Sequence, residues 1–212
     1  LARVLGVDWL TPDAFELIIE RDGLMYGAGA CTLLIRDDQV DSRPYSFSSH
    51  PDQPELRFLV KRVSGRSHAG QFSHWLAGRK TGDEVGVGNP FRLFSPGLCP
   101  NEIWLATGTG LAPFLSCLRG SNPPRSALLY VGVRNSEEAY FRSFLESRCR
   151  VEWRFSRHKV SRRVSVEEPG FPLDPLREYF ICGNGAMVRA CREGLLARGI
   201  LLGRVHEESF FG

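Results

Sequence analysis

Two stretches of this 212-residue chain bring together residue types that ask for a ligand. RPYSFSS (43–49) sets a cation, a flat ring and several hydroxyls side by side. Read as a strand, it puts Arg43, Tyr45 and Phe47 on one face and Ser46 and Ser48 on the other. Pro44 has no backbone donor and so belongs at a sheet edge or a strand start. TGTGLAP (107–113) stands between an apolar strand and a helix, the context that gives a glycine-rich turn meaning. Gly108 and Gly110 can take positive φ and let a ligand approach the backbone. The helix that follows offers unpaired N–H groups and a positive dipole end, which suit a diphosphate. Pro113 fits its first turn, where a missing N–H costs little.

The turn departs from the usual dinucleotide fingerprint. Its third glycine is replaced by Pro113, and the next strand ends in Arg134 with no carboxylate at its tip, which favours a 2′-phosphate over a bare ribose. A basic cluster, SRHKVSRR (156–163), follows the third strand of this half, at the carboxyl end where open α/β sheets bind ligands. Ser156 and Arg157 are read as 2′-phosphate ligands, with Arg162 or Arg163 assisting. Taken singly, each feature has a plain reading: an edge strand, a connecting turn, a solvated charged face.

The elements that must position these residues change character along the chain. AFELIIE (14–20), ACTLLI (30–35), RPYSFSS (43–49) and ELRFLVKRV (55–63) read as short strands separated by Gly, Pro and Asp clusters. Strands at this spacing predict an antiparallel barrel or sandwich. QFSHWLAG (71–78) reads as a short helix, and TGDEVGVGNPF (81–91) as a turn, a strand and a breaker. The second half alternates apolar strands (102–108, 127–133, 150–156, 178–183) with helices (111–120, 138–147, 185–199). That pattern predicts a parallel sheet covered on both faces. The Pro- and Gly-rich stretch SPGLCP (95–100) marks the boundary, giving domains of 1–97 and 98–212.

Composition narrows the function classes. The chain is 42% hydrophobic and 24% charged, with a net charge of +3, too mild to imply nucleic-acid binding. No apolar run approaches the ~18 residues of a membrane-spanning helix. The start, LARVLGVDWL, lacks the pattern of a signal peptide. The six cysteines include no C-x-x-C pair and the histidines no H-E-x-x-H, so no metal site is expected. Scattered, unpaired cysteines predict a reducing, cytoplasmic setting. A monomer without a membrane span is the expectation.

Four motifs in order, RPYSFSS (43–49), GQFS (70–73), GTGLAPF (108–114) and CGNGAM (182–187), with the ending ESFFG (208–212), resemble the ferredoxin–NADP reductase family, most of all its compact bacterial type. The resemblance covers essentially the whole chain. It implies a β-barrel domain that binds FAD without a covalent link, followed by an α/β domain that binds NADP(H). Tyr45 would lie against the isoalloxazine, Ser46 near its N5, and Arg43 against the diphosphate, where a guanidinium fork fits the oxygens. Gly70, Gln71, Phe72 and Ser73 would serve the same diphosphate at the start of the short helix. Val60 and Lys61 would offer backbone groups to the ring or ribityl chain. Thr109, Gly110 and Gly183 would meet the nucleotide, and Cys182 its nicotinamide. Glu207 is the first choice for the family's tail carboxylate, with Glu208 as the alternative. The tail would cross back to the first domain, with Phe210 as a displaceable cover for the flavin. The activity implied is hydride transfer between NADP(H) and FAD, followed by single-electron transfer to an acidic carrier such as ferredoxin or flavodoxin. The rivals are an NAD(P)H-dependent reductase component of an oxygenase or haem system, and a non-catalytic flavin- or nucleotide-binding redox sensor.

Overall fold

AFELIIE alternates well enough to become a strand, and its neighbours build a sheet around it. In the computed structural model, which describes residues 1–36, 41–63, 68–92, 95–124, 127–157 and 162–210, the first strands are β1 (Ala2–Thr11), β2 (Ala14–Glu20), β3 (Cys31–Ile35), β4 (Ser42–Ser46) and β5 (Glu55–Lys61). Helix α1 (His68–Ala77) and strand β6 (Glu84–Val87) follow. All neighbours in the order β4-β3-β6-β1-β2-β5 are antiparallel. The two edges meet: Phe47 bridges to Phe58, and Ser48 N–H donates to Arg57 C=O at 2.7 Å. Closing the sheet in this way protects its edge groups. Phe15, Leu17, Ile19, Phe58 and Val60 fill the interior, and α1 adds Phe72 and Leu76, which share a face at i, i+4.

The second sheet is parallel. Its elements are β7 (Ile103–Thr107), a 3₁₀ turn (Gly108–Leu111), α2 (Ala112–Leu118), β8 (Leu128–Val133), α3 (Arg142–Arg148), β9 (Arg150–Phe155), β10 (Tyr179–Asn184), α4 (Gly185–Ala197) and β11 (Val205–Phe210). Every residue of β8 is buried, as a strand covered on both faces requires. The order is β11-β10-β7-β8-β9. The connection direction reverses at β7, so the crevice between the carboxyl ends of β7 and β10 is a topological switch point, where such sheets bind ligands. The barrel-plus-parallel-sheet architecture is the one the sequence predicts.

By contacts the chain forms two units. One comprises Leu1–Ser95 with Ala112–Ser121, the other Pro96–Leu111 with Asn122–Gly212. Helix α2 thus packs with the barrel, whereas a division at 97/98 counts it with the second half. Within the second unit, the buried carboxylate of Glu102 gathers the 97–104 turn. It accepts from Gly97 N–H (2.7 Å), Cys99 N–H (2.8 Å) and Trp104 Nε1–H (2.6 Å).

Four elements differ from expectation. β1 and β11 went unread. The helix expected over 138–147 begins only at Arg142, because Phe141 takes a left-handed φ of 60° that interrupts it. The RPYSFSS strand ends at Ser46, and Ser46 to Ser49 are buried throughout instead of alternating, because the Ser48 hydroxyl finds a buried carboxylate in Glu16 at 2.6 Å.

Candidate functional site

Strand β4 pairs with β3 alone in the sheet order, so Pro44 lies on an edge strand and withdraws no ladder donor from the interior. Its neighbours converge on α1. Tyr45 packs against Phe72 with ring centroids 6.2 Å apart and planes 23° apart, and the Arg43 guanidinium lies 5.9 Å from the same ring. Arg43 is also held by Asp41 at 2.6 Å. Burial pushes the Tyr45 phenol above its ordinary range, with Arg43 opposing, so it remains a neutral ring. Ser46 is buried beside it. Val60 points into the barrel core, which leaves its backbone alone for the expected role; Lys61 Nζ lies 3.5 Å from Asp13.

At the start of α1, Gly70 and Phe72 are buried and Gln71 is exposed. Ser73 was expected to offer its hydroxyl to a diphosphate. Instead its O–H donates to Gly70 C=O at 3.0 Å and its oxygen accepts from Val63 N–H at 3.1 Å, tying α1 to the chain just past β5. The single donor of that hydroxyl is therefore engaged within the protein.

The second group sits at the switch point. Gly110 packs backbone to backbone against β10: a Cβ there would lie 2.4 Å from Cys182 O and 2.5 Å from Gly183 Cα. Gly183 has φ +134°, and a Cβ on it would lie 2.3 Å from Thr107 Oγ1. Asn184 N–H donates to that same Thr107 hydroxyl at 2.9 Å. Any side chain at Gly110 or Gly183 would pry the turn off the strand. Thr109 sits on this turn, half-buried. Asn184 caps α4, its Oδ1 accepting from Ala186 N–H (3.0 Å) and Met187 N–H (3.4 Å). The turn and the cap bring the starts of two helical segments to one crevice, an arrangement that favours anions.

Parallel pairing of β10 and β11 sets Glu208 opposite Cys182, Ser209 opposite Gly183 and Phe210 opposite Asn184. Cys182 and Glu208 are both buried. Glu207 points the other way and meets Arg192 of α4 at 3.7 Å. The register therefore brings Glu208, not the first-choice Glu207, to the Cys182 side. The expected displaceable tail is, through Phe210, a paired strand; residues 211 and 212 lie outside the described residues.

The basic residues gather at the ends of β8 and β9. Arg157 N–H donates to Arg134 C=O (2.8 Å), and Arg162 N–H to Phe155 C=O (3.0 Å). Arg157, Arg162 and Arg163 are exposed and Ser156 is half-buried. Residues 158–161 of the basic stretch lie outside the described residues. Arg134 is not a bare cation: its side chain pairs with Glu138, whose other oxygen accepts Arg134 N–H at 3.0 Å. A carboxylate thus does stand at the tip of β8, four residues beyond the arginine. The sequence hid it because the 3₁₀ turn at Ser136–Glu138 folds it back. Among the described residues, no cluster of three or more His, Cys, Asp or Glu could hold a metal.

No family model matches the chain. Its relatives do decide the family. A ferredoxin–NADP reductase B of Sorangium cellulosum is 34% identical, over 94% of this chain and 91% of its own length. The chain belongs to the ferredoxin–NADP reductase family. As a member it is an oxidoreductase, and the family's reach includes oxygenase reductase components. One such component, of the naphthalene dioxygenase and salicylate 5-hydroxylase systems of a Ralstonia species, is 28% identical over 80% of this chain and 56% of its own length. The fold agrees: a ferredoxin–NADP⁺ reductase from Neisseria gonorrhoeae superposes with a TM-score of 0.83 at 22% identity, covering 99% of this chain and 98% of its own. Among the described residues, no helix is long and apolar enough to cross a membrane.

Two residues of this family member that touch the 43–49 segment escaped sequence reading altogether. They are Glu16 and Arg119, which bond to each other and to Ser48 across 103 positions. Asn184 had a signal, an Asn directly before a helix inside CGNGAM, but its capping role was not drawn from it.

Proposed function

We propose that this reductase binds FAD on its first unit, accepts hydride from NADPH bound at the β7–β10 crevice, and delivers single electrons to a ferredoxin- or flavodoxin-type carrier. The observation that carries the reading is the backbone contact of Gly110 with Cys182 and Gly183. It seats the glycine-rich turn directly on β10 at a parallel-sheet switch point, the place where such sheets bind dinucleotides. The Neisseria reductase, described with bound FAD and NADP, supports the same pair of cofactors here. A domain division near 97/98 would assign the flavin to the barrel half and the nucleotide to the other.

The residues fit the flavin. Tyr45 and Phe72 form an aromatic wall, Arg43 adds a cation beside it, and α1 turns the positive end of its dipole toward the chain before it. A bound FAD would supply the hydride acceptor and the one-electron donor. The chain's own tasks are then orientation and exclusion of water. Ser46, buried at the end of β4, offers a hydroxyl next to the Tyr45 ring. Cys182 and Glu208 border the nicotinamide position from β10 and β11. Phe210 closes β11 beside Asn184 at the crevice, and deletion of residues 209–212 should tighten nucleotide binding there. Arg157, with Arg163 and Ser156, takes the 2′-phosphate. Six free thiols suit a reducing compartment.

A second reading, an NAD(P)H-dependent reductase component for an oxygenase, is favoured by the Ralstonia relative and differs in the nucleotide used and in the system that the electrons finally reach. Protein reconstituted with FAD tests the proposal. NADPH should drive ferricyanide reduction directly, and cytochrome c reduction only when a ferredoxin or flavodoxin is added. Protein that takes up FMN but not FAD, or ferricyanide activity unaffected by flavin, would defeat it.

A further inference from the structure

Arg119 completes a buried polar cluster within the first unit that the functional reading leaves unused. Its Nη1 donates to Glu16 Oε1 at 2.8 Å and to Ser48 C=O at 2.9 Å, and its Nη2 to Glu16 Oε2 at 3.0 Å. The Ser48 hydroxyl donates to Glu16 Oε1 at 2.6 Å. One residue further along the chain, Ser49 C=O accepts from Ser116 Oγ of α2 at 2.7 Å. The Arg119 and Glu16 side chains are only 11% and 3% exposed.

A buried ion pair is weak evidence for stability, since an apolar pair of similar volume often packs as well or better. What this pair does is hold the guanidinium, its fork seated on Glu16, so that Nη1 also donates to one main-chain carbonyl, two residues from Ser46. Phe47 N–H is fixed by Ala30 C=O at 2.9 Å and Ser48 N–H by Arg57 C=O at 2.7 Å. Arg119 and Ser116 fix the carbonyls of Ser48 and Ser49, so the segment has no slack on its C-terminal side. Ser116 lies in α2 and Arg119 directly follows that helix, which begins at Ala112 just after the glycine-rich turn.

We propose that Arg119 and Glu16 are positioning residues for hydride transfer: they lock the 46–49 backbone, and with it the Ser46 hydroxyl, through Ser48. The proposal rests on the flavin-reductase reading above. Neither residue touches cofactor or nucleotide in it.

The test compares Arg119→Met, Arg119→Lys and the double variant Glu16→Met/Arg119→Met with the wild type. The double variant removes the uncompensated buried carboxylate that could unfold the single one. In the apo-protein, amide exchange over 46–49 should quicken by about 10-fold in both Met variants. In the FAD-loaded protein, single-turnover reduction by NADPH should slow by about 10-fold or more while KM stays within about threefold, the signature of an interaction made mainly in the transition state. Arg119→Lys, which keeps the charge but not the fork, should recover part of both. A folded double variant with wild-type exchange and wild-type reduction would overturn the proposal. Wild-type protein that takes up no flavin is a separate result: it defeats the functional reading, and the role with it.

Discussion

Glu208 stands opposite Cys182 on adjacent parallel strands, and both side chains are buried; Glu207, one residue away, faces Arg192 instead. Successive residues of a strand point to opposite faces, so only one of two adjacent glutamates can accompany the cysteine. Glu208→Gln should slow flavin reduction by about 10-fold, equivalent to about 1.4 kcal/mol, with Glu207→Gln near wild type. Stopped-flow reduction of both variants checks this. The reverse order would mean that the register does not describe the reacting enzyme.

The nucleotide preference should rest on Arg157 more than on Arg134, whose guanidinium is already engaged by Glu138. Arg157→Ala should lower NADPH efficiency by roughly 10- to 100-fold, about 1.4–2.8 kcal/mol, and leave NADH turnover nearly unchanged. Steady-state kinetics with both nucleotides decide it. Equal losses with both would assign Arg157 a structural role.

Acid stability should report on Glu16. Burial on its own would raise the Glu16 pKa, but Arg119, Ser48 and Arg57 outweigh it and hold the carboxyl below its ordinary value. A carboxyl with a depressed folded pKa contributes stability that is present above its unfolded pKa, about 4.3, and lost as pH falls through the folded value. Glu16→Gln should therefore be less stable than wild type at pH 7, and the gap should narrow below about pH 4. Denaturant melts at pH 7 and pH 3.5 measure the gap; a constant gap would show that Glu16 titrates normally.

The thiols should divide sharply. Of the six, only Cys99 is exposed. Burial pushes Cys149 up to about 12 and Cys191 up to about 11, so both remain protonated and unreactive at neutral pH. Native protein treated with a disulfide reagent should show one fast thiol, and denatured protein all six. A second fast thiol at Cys182, blocked by NADP⁺, would indicate that the crevice opens in solution.

Elements whose pattern matched a single burial rule were legible in the sequence. β8 read as a fully buried strand, and β2 was bounded by turn residues at both ends. β1 was not, because ARVLGVDWLT breaks its alternation where its register against β2 shifts. β11 was harder still: VHEESF is polar, and it becomes a strand only by extending the sheet beside β10. The glycine-rich turn was legible because glycine spacing records a close backbone approach locally. The Arg119–Glu16–Ser48 cluster was not, since its members lie far apart in the chain and share no motif. The same holds for the choice between Glu207 and Glu208, which depends on strand register, a property that the tail sequence does not contain.

The central claim is that NADPH delivers hydride to a flavin held by this chain. The direct measurement is an anaerobic titration of FAD-loaded protein with NADPH, followed through the flavin's visible absorbance. The account predicts a yellow protein that bleaches with one equivalent of NADPH per flavin and far more slowly with NADH. A protein that stays yellow with both nucleotides, or holds no flavin after reconstitution, would contradict it.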